Sequence, residues 1–350
     1  MTPRFARRTR LAALTLAATL PLAACGGSDD SADDAESGDG GSSFPVTITS
    51  SLGETTIEAE PQSPAAVGWG SQDVALALGV VPVGMPSFAY GDDDGDGILP
   101  WTYDALEDAG ATGDDTPALY DETDGVDFEA VADAAPDVVL ATYSGISAED
   151  FTTLSEIAPT VGYPDAPWGT KWRDLVTING EALGLADEAE ELVADLEDEM
   201  SSGFDEYPQL DGKTFAFTYV NPADTSTVPV YTPLDARVSY VSDLGLEVPQ
   251  SVSDLDNGED FYAEVSAENA DTIDADIMIT YGDDSTLQML QDDPLLSKIP
   301  AVASGAVVVL EDGSPLAGAV SPPTPLSIEW ALDDYLELLG DAADAADAAS

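Results

Sequence analysis

Ala65-Ala66-Val67-Gly68-Trp69-Gly70-Ser71 is a short apolar strand that runs into glycines. Gln72 to Leu78 follows as a helix that Ser71 can cap and Gly79 stops, and Val80 to Val83 is a second apolar run. Strand, turn, helix, strand is the opening of an α/β domain. Gly68-x-Gly70 resembles the start of a dinucleotide fingerprint, but Asp73 stands where the third glycine belongs. The glycines are therefore read as a tight turn.

Working outward, Phe44 to Glu58 alternates through Val46, Ile48, Leu52, Thr56 and Ile57, which predicts a hairpin turning near Gly53-Glu54. Phe128 to Ala135 is predicted helical. A buried strand, Val138 to Ala141, follows Asp137, and Ser147 caps a helix over Ala148 to Ile157. Pro159 to Pro167 is a loop, and Lys171 to Leu183 is a helix broken by Gly184. Ala186 to about Phe204 carries Ala189, Leu192, Val193, Leu196 and Met200 on one face. Its length and mid-chain position make it the connector between two lobes. The second lobe is predicted as strand Thr214 to Val220, helix Ala236 to Leu244, helix Ala263 to Ile273 and strand Ile277 to Tyr281. Helix Gln288 to Leu296, strand Ala306 to Leu310 and helix Ser327 to Leu339 complete it. Gly340 to Ser350 is rich in Ala and Asp and is expected to fray.

The two halves echo each other. Glu129 lies eight residues before Asp137, which opens an apolar strand ending in Thr142-Tyr143. Glu268 lies eight residues before Asp276, which opens an apolar strand ending in Thr280-Tyr281. Ligands of open α/β sheets bind beyond the carboxyl ends of strands. Two such ends facing each other make a cleft with aromatic walls.

Composition narrows the function. The 350 residues carry 69 Asp plus Glu against nine Lys plus Arg, with one Cys and no His. A net charge of -60 excludes a partner bound through its phosphates, so no nucleic acid is expected, and it disfavours electrostatic attachment to anionic lipid. Without His there is no Ser-His or Cys-His nucleophile pair and no His-ligated zinc. Arg4, Arg7, Arg8 and Arg10 precede every acid in the chain, and Leu11 to Ala24 is an apolar run. That is the layout of a secretory signal, too short to span a bilayer as a mature helix. Its end, Leu22-Ala23-Ala24-Cys25-Gly26, resembles the lipobox of bacterial lipoproteins. The resemblance implies that Cys25 is lipidated and becomes the mature N-terminus. Arg7-Arg8 also fits the start of a twin-arginine signal, although Arg10 sits where that pattern has an apolar residue. Gly26 to Ser43 is Gly, Ser, Asp and Ala with one Glu, a composition that cannot bury enough apolar surface to order itself.

Several stretches together resemble the substrate-binding lipoproteins of iron-siderophore ABC transporters. They are Pro64 to Trp69 with Ala75 to Gly84, Leu99-Pro100-Trp101, Pro136 to Ala141, Tyr143 to Ile146, Ile157 to Val161, Pro167 to Thr170 and Glu181 to Gly184. Val265 to Glu268, Pro294-Leu295, Ile299 to Val302 and Pro325 to Leu332 complete the set. The likeness covers about residues 45 to 340.

It implies two α/β lobes, each a mostly parallel sheet flanked by helices, joined by one long helix with a ligand cleft between them. The corresponding organisation is signal peptide 1–24, lipidated Cys and acidic linker 25–43, first lobe 44–170, connecting helical region 171–205, second lobe 206–340 and frayed tail 341–350. It implies no catalysis and no cofactor. A monomer, anchored on the outer face of the cell membrane through Cys25, would capture a ferric siderophore for a permease driven by an ATPase. The family also docks onto its permease through one surface Glu per lobe, and Glu129 and Glu268 match by position.

An iron chelate is bulky, partly apolar and rimmed with oxygens, so it suits aromatic walls and a few donors. Trp69, Trp101, Tyr143 and Trp168 are the first-lobe candidates, and Tyr219, Tyr231, Arg237 and Tyr281 those of the second. Trp330, at core spacing on a helix, is read as structural. Only Lys171, Arg173, Lys213, Arg237 and Lys298 are basic after the signal. Five scattered cations hardly form the arginine cluster that a ferric tris-catecholate calls for, so a neutral or cationic hydroxamate chelate fits better. Cobalamin or haem in the same fold is the alternative, and the lack of His weakens haem. Asp92-Asp93-Asp94-Gly95-Asp96-Gly97 resembles half a calcium loop. Tyr103 occupies the place of the bidentate Glu and Pro100 the ninth position, so it is read as an acidic surface loop.

Overall fold

The computed structural model describes residues 44–349; the expected signal peptide, Cys25 and the expected acidic linker lie outside them. A hairpin of β1 (Val46–Ser50) and β2 (Gly53–Ile57) leads into a first sheet. That sheet holds β3 (Pro64–Ala66), β4 (Gly84–Pro86), β5 (Ala118–Tyr120), β6 (Val138–Leu140) and β7 (Thr160–Val161). All its pairs are parallel, in the order β5-β4-β3-β6-β7. The second sheet holds β8 (Phe215–Thr218), β9 (Thr227–Tyr231), β10 (Tyr262–Ser266), β11 (Ile277–Gly282) and β12 (Val307–Glu311). Its order is β10-β9-β8-β11-β12, with β8, β11 and β12 parallel and β9 and β10 antiparallel.

Acids set the register where the central strands begin. Asp137 precedes β6 and accepts the N–H groups of Gln62 at 2.6 Å and Ser63 at 2.9 Å, just ahead of β3. Asp276 precedes β11 and accepts the N–H of Thr214 at 2.8 Å and its hydroxyl at 2.7 Å, just ahead of β8. The echo in the sequence is thus one structural device used twice.

Between the sheets run the helices Trp172–Leu183 and Ala186–Phe204. One apolar cluster passes from Leu99 and Trp101 through Trp172, Leu196 and Met200 to Phe217, Tyr240 and Tyr335. The lobes share this core, so rotating one against the other would break close packing.

Three expectations are corrected. Ala263 to Ile273 is not a helix. Tyr262–Ser266 is an edge strand whose Val265 points inward while its neighbours face out, and Ala267–Thr272 is a 3-10 turn. Pairing with β9 overrides the alanine-rich composition. Ser71 does not cap its helix; it lies in the first turn, and Gly70 precedes it at φ 83°. The tail does not fray, because the last helix runs from Pro325 to Ala349. Ala342, Ala343 and Ala346 recur at helical spacing and are buried, and Asp347 pairs with Lys213.

Candidate functional site

The order of the first sheet reverses between β3 and β6, and the crevice beyond their carboxyl ends is where an open sheet receives a ligand. Strand β3 runs into Gly68-Trp69, β4 into Phe88 and Tyr90, β5 into Glu122, and β6 into Tyr143-Ser144-Gly145. Trp69, Phe88, Tyr90, Glu122, Ser144 and Trp168 are among the residues around a cavity of about 380 Å³ there.

Two glycines make this wall. Gly68 has φ 81°, and a Cβ on it would lie 2.6 Å from the Tyr143 carbonyl oxygen. A Cβ on Gly145 would lie 2.4 Å from Nε1 of Trp168, so the missing side chain is what lets that indole lie flat on the chain. Trp168 has φ 57° and is 50% exposed, and its ring meets Tyr143 edge-on at 5.5 Å. Trp69 packs on Phe88 with ring centroids 4.5 Å apart.

The second lobe contributes a different chemistry. Tyr219 and Tyr281 stand at the ends of β8 and β11 beside a cavity of about 350 Å³ that Asp283, Glu311 and Asp312 also line. Tyr231 ends β9. Asp235 caps the helix Ala236–Leu244 by accepting the Arg237 N–H at 2.9 Å. The same carboxylate takes Nε of Arg237 at 2.7 Å and Nη2 at 2.8 Å, and the guanidinium lies 3.8 Å from the Tyr231 ring centroid. Burial opposes the charged guanidinium, yet the bonds to Asp235 outweigh it and hold Arg237 above its ordinary value.

The two sets meet at Tyr143. Burial raises its hydroxyl above the ordinary range; from the second lobe Asp235 and Tyr281 raise it further while Arg237 opposes them. Trp69 and Tyr143 also share a narrow space with Ala236 and Pro322.

The structure therefore brings together Trp69, Tyr143 and Trp168 from one lobe and Tyr231 and Arg237 from the other, with Tyr219 at the second cavity. Trp101 is a correction. It is 2% exposed and its indole N–H donates to Asp73 at 2.8 Å, which makes it core, its ring tilted against that of Trp330 with centroids 5.7 Å apart. Tyr281 faces the cavity but is 6% exposed, and its hydroxyl is 2.5 Å from Ser321 Oγ.

Glu129 and Glu268 are exposed, on the helix Phe128–Asp133 and the turn Ala267–Thr272. In the loop after β4, Asp92, Asp94 and Asp96 converge within 4.8 Å. Asp92 is engaged by the N–H groups of Asp94, Gly95 and Gly97.

Sequence reasoning missed Phe88, Tyr90, Glu122 and Asp235. The first three follow strands of three residues each, too short for a periodic signal. Glu122 is the carboxyl among them that burial perturbs strongly. Burial pushes its carboxyl up to about 7 although the Gly68 N–H, 2.9 Å from Oε2, favours the charged form. Its Oε1 is buried without a partner, as is the indole Nε1 of Trp69.

A family model described as periplasmic binding protein matches residues 65–313. PiaA of Streptococcus pneumoniae TIGR4, solved in complex with ferrichrome, is 43% identical over 85% of this chain and 99% of its own, with a TM-score of 0.81. A periplasmic solute binding protein from Mycobacterium smegmatis is 28% identical over 87% of this chain and 100% of its own, with a TM-score of 0.68. The probable siderophore-binding lipoprotein YfiY of Bacillus subtilis is 30% identical over 188 residues, 53% of this chain and 52% of that relative. The match thus spans about half the length of that curated protein. Among the described residues, no helix is long and apolar enough to cross a membrane.

Proposed function

The chain belongs to the periplasmic binding protein family, whose members are substrate-binding proteins and not enzymes, and on that premise we propose that it captures a ferric hydroxamate siderophore for an ABC importer. Cys25 would tether it, as a lipoprotein, to the outer face of the cell membrane, where it acts as a monomer. The permease would meet Glu129 and Glu268, one exposed acid from each lobe.

The observation that carries this reading is the aromatic cleft whose nearby guanidinium, that of Arg237, is already neutralised. Arg237 is held by both oxygens of Asp235, and among the described residues no Lys or Arg lines either cavity. Elsewhere Arg173 is taken by Glu197 and Asp243, and Lys213 by Asp347. An anionic tris-catecholate would find no free guanidinium, whereas a neutral chelate needs only apolar walls and a few donors. The 43% identical PiaA, solved with ferrichrome, supports the same class.

Tryptophan fluorescence titrations with ferrichrome, ferrioxamine and ferric enterobactin test it. Quenching at submicromolar concentration by the two hydroxamates and weak binding of the catecholate are expected. Tighter binding of ferric enterobactin would overturn the ligand assignment. In whole cells, Glu129→Ala with Glu268→Ala should leave chelate binding intact and abolish iron uptake; normal uptake would remove the docking role.

A further inference from the structure

Two residues that line the first-lobe cavity each carry a buried polar atom with no partner. One is Nε1 of Trp69, a donor only, and the other is Oε1 of Glu122. Both belong to residues that line the same 380 Å³ space. The other carboxylate oxygen, Oε2, is committed to the Gly68 N–H at 2.9 Å, so it acts as an acceptor and a proton on Glu122 belongs on Oε1.

Among the described residues no cation compensates this acid. Of the titratable groups around it, Tyr120 ends the strand behind it and its charge would raise the tyrosine further. Tyr90 and Asp150 line the cavity. Asp150 is occupied by the N–H and hydroxyl of Ser147, both at 2.8 Å. Arg237, in the other lobe, is bound to Asp235. An ionised Glu122 would therefore hold a buried oxygen with no donor, which is costly. Burial already pushes the carboxyl up to about 7 before any ligand enters.

A chelate that fills the cavity takes more of the half-buried Glu122 side chain out of water. It also presents oxygen atoms, which are acceptors. Ionised Oε1 would then set lone pair against lone pair, whereas the neutral acid supplies a donor, in addition to the Trp69 N–H of the same cavity lining. Resting on the ligand reading above, we propose that capture of the hydroxamate chelate takes up one proton onto Glu122, whose neutral acid donates from Oε1 to a ligand oxygen. The direction follows by linkage. The bound form holds the proton more tightly than the free form, so affinity is full below about pH 7. It falls as pH rises, approaching tenfold per pH unit.

The experiment measures the dissociation constant of ferrichrome from pH 5.5 to 8.5 for the wild type and for Glu122→Gln. It adds calorimetry of the wild type at pH 7.5 in two buffers of different ionisation enthalpy. Expected are a wild-type affinity that weakens above pH 7, net uptake of up to one proton per chelate, and a single pH-independent affinity for the glutamine variant. A flat wild-type profile, tightening with rising pH as a ligand N–H donated to Oε1 would give, or no buffer dependence of the heat would each overturn the coupling. Because the ligand class is tested at pH 5.5, where the acid is neutral, binding there with a flat profile removes the coupling alone. No binding at any pH removes the ligand reading as well.

Discussion

The two lobes begin their central strands alike and end them differently. At the amino ends, Asp137 and Asp276 each bridge to the chain just before the neighbouring parallel strand. At the carboxyl ends the first lobe presents Trp69, Phe88 and Trp168 around one uncompensated acid, Glu122. The second presents tyrosines around a charge pair that is complete in itself, Arg237 with Asp235. Each lobe of this fold thus has a structural end and a chemical end. Apart from the Thr-Tyr at each of these carboxyl ends, Thr142-Tyr143 and Thr280-Tyr281, likeness between lobes is confined to the structural end, where only backbone register is at stake. The chemical ends are free to diverge, and together they offer one ligand both an apolar wall and fixed polar groups.

The sharpest way to break the comparison is to undo the second lobe's charge pair. Asp235 is 6% exposed. Arg237→Ala would leave it charged and unpaired, which costs on the order of 3 kcal/mol. Urea denaturation should show a lower midpoint with an unchanged slope. The double variant Asp235→Ala, Arg237→Ala should be less destabilised than Arg237→Ala alone, because it removes the buried charge and loses only the helix cap, about 1 kcal/mol. A loss below 1 kcal/mol for Arg237→Ala would mean that the second lobe does not keep its charge internally balanced.

The corresponding change in the first lobe should move binding and leave folding nearly alone. Trp168 is half exposed, so Trp168→Ala removes little from the core. As an aromatic wall of the cleft it should cost about 2 kcal/mol of chelate affinity, roughly 30-fold. Gly145→Ala keeps the indole but drives a methyl into Nε1. Its affinity loss should be smaller, about tenfold, with a shifted tryptophan emission. If both variants bind ferrichrome as the wild type does, the first lobe is not the apolar wall.

How much of this was legible in the sequence follows the same division. Helices with clear caps and breakers were readable: Ser147 forms a capping box with Asp150, and Gly184 ends its helix at φ 78°. So were the α/β alternation and the central strands. The strands β4, β5 and β7 were not, since two or three residues carry no period, and β10 was hidden by helix-forming alanine. The site was half legible. Trp69, Tyr143 and Tyr231 stand at or just past strand ends and Trp168 and Arg237 in the segments that follow; Trp and Arg are rare in this chain, and rarity singles them out. Trp101 is just as rare but serves Asp73. Glu122 is one acid among 69 acidic residues, and only the fold, by burying it, sets it apart.

The mildest test concerns the shared end. Asp137 and Asp276 are both exposed, so water can replace part of what each supplies. Asp137→Ala leaves two backbone N–H groups, those of Gln62 and Ser63, without their acceptor. Asp276→Ala leaves one backbone N–H, that of Thr214, and a hydroxyl that can turn toward solvent. That hydroxyl also accepts the residue 276 N–H at 3.0 Å, a bond to the main chain that the alanine variant retains. Each substitution should therefore cost about 1 kcal/mol, with Asp137→Ala the larger of the two. Neither should change ferrichrome affinity by more than about twofold, because the cleft lies at the opposite ends of the strands. Denaturation and ligand titration on the same two proteins separate the cases. If Asp276→Ala weakened binding tenfold while Asp137→Ala did not, the division into a structural end and a chemical end would hold in the first lobe and fail in the second.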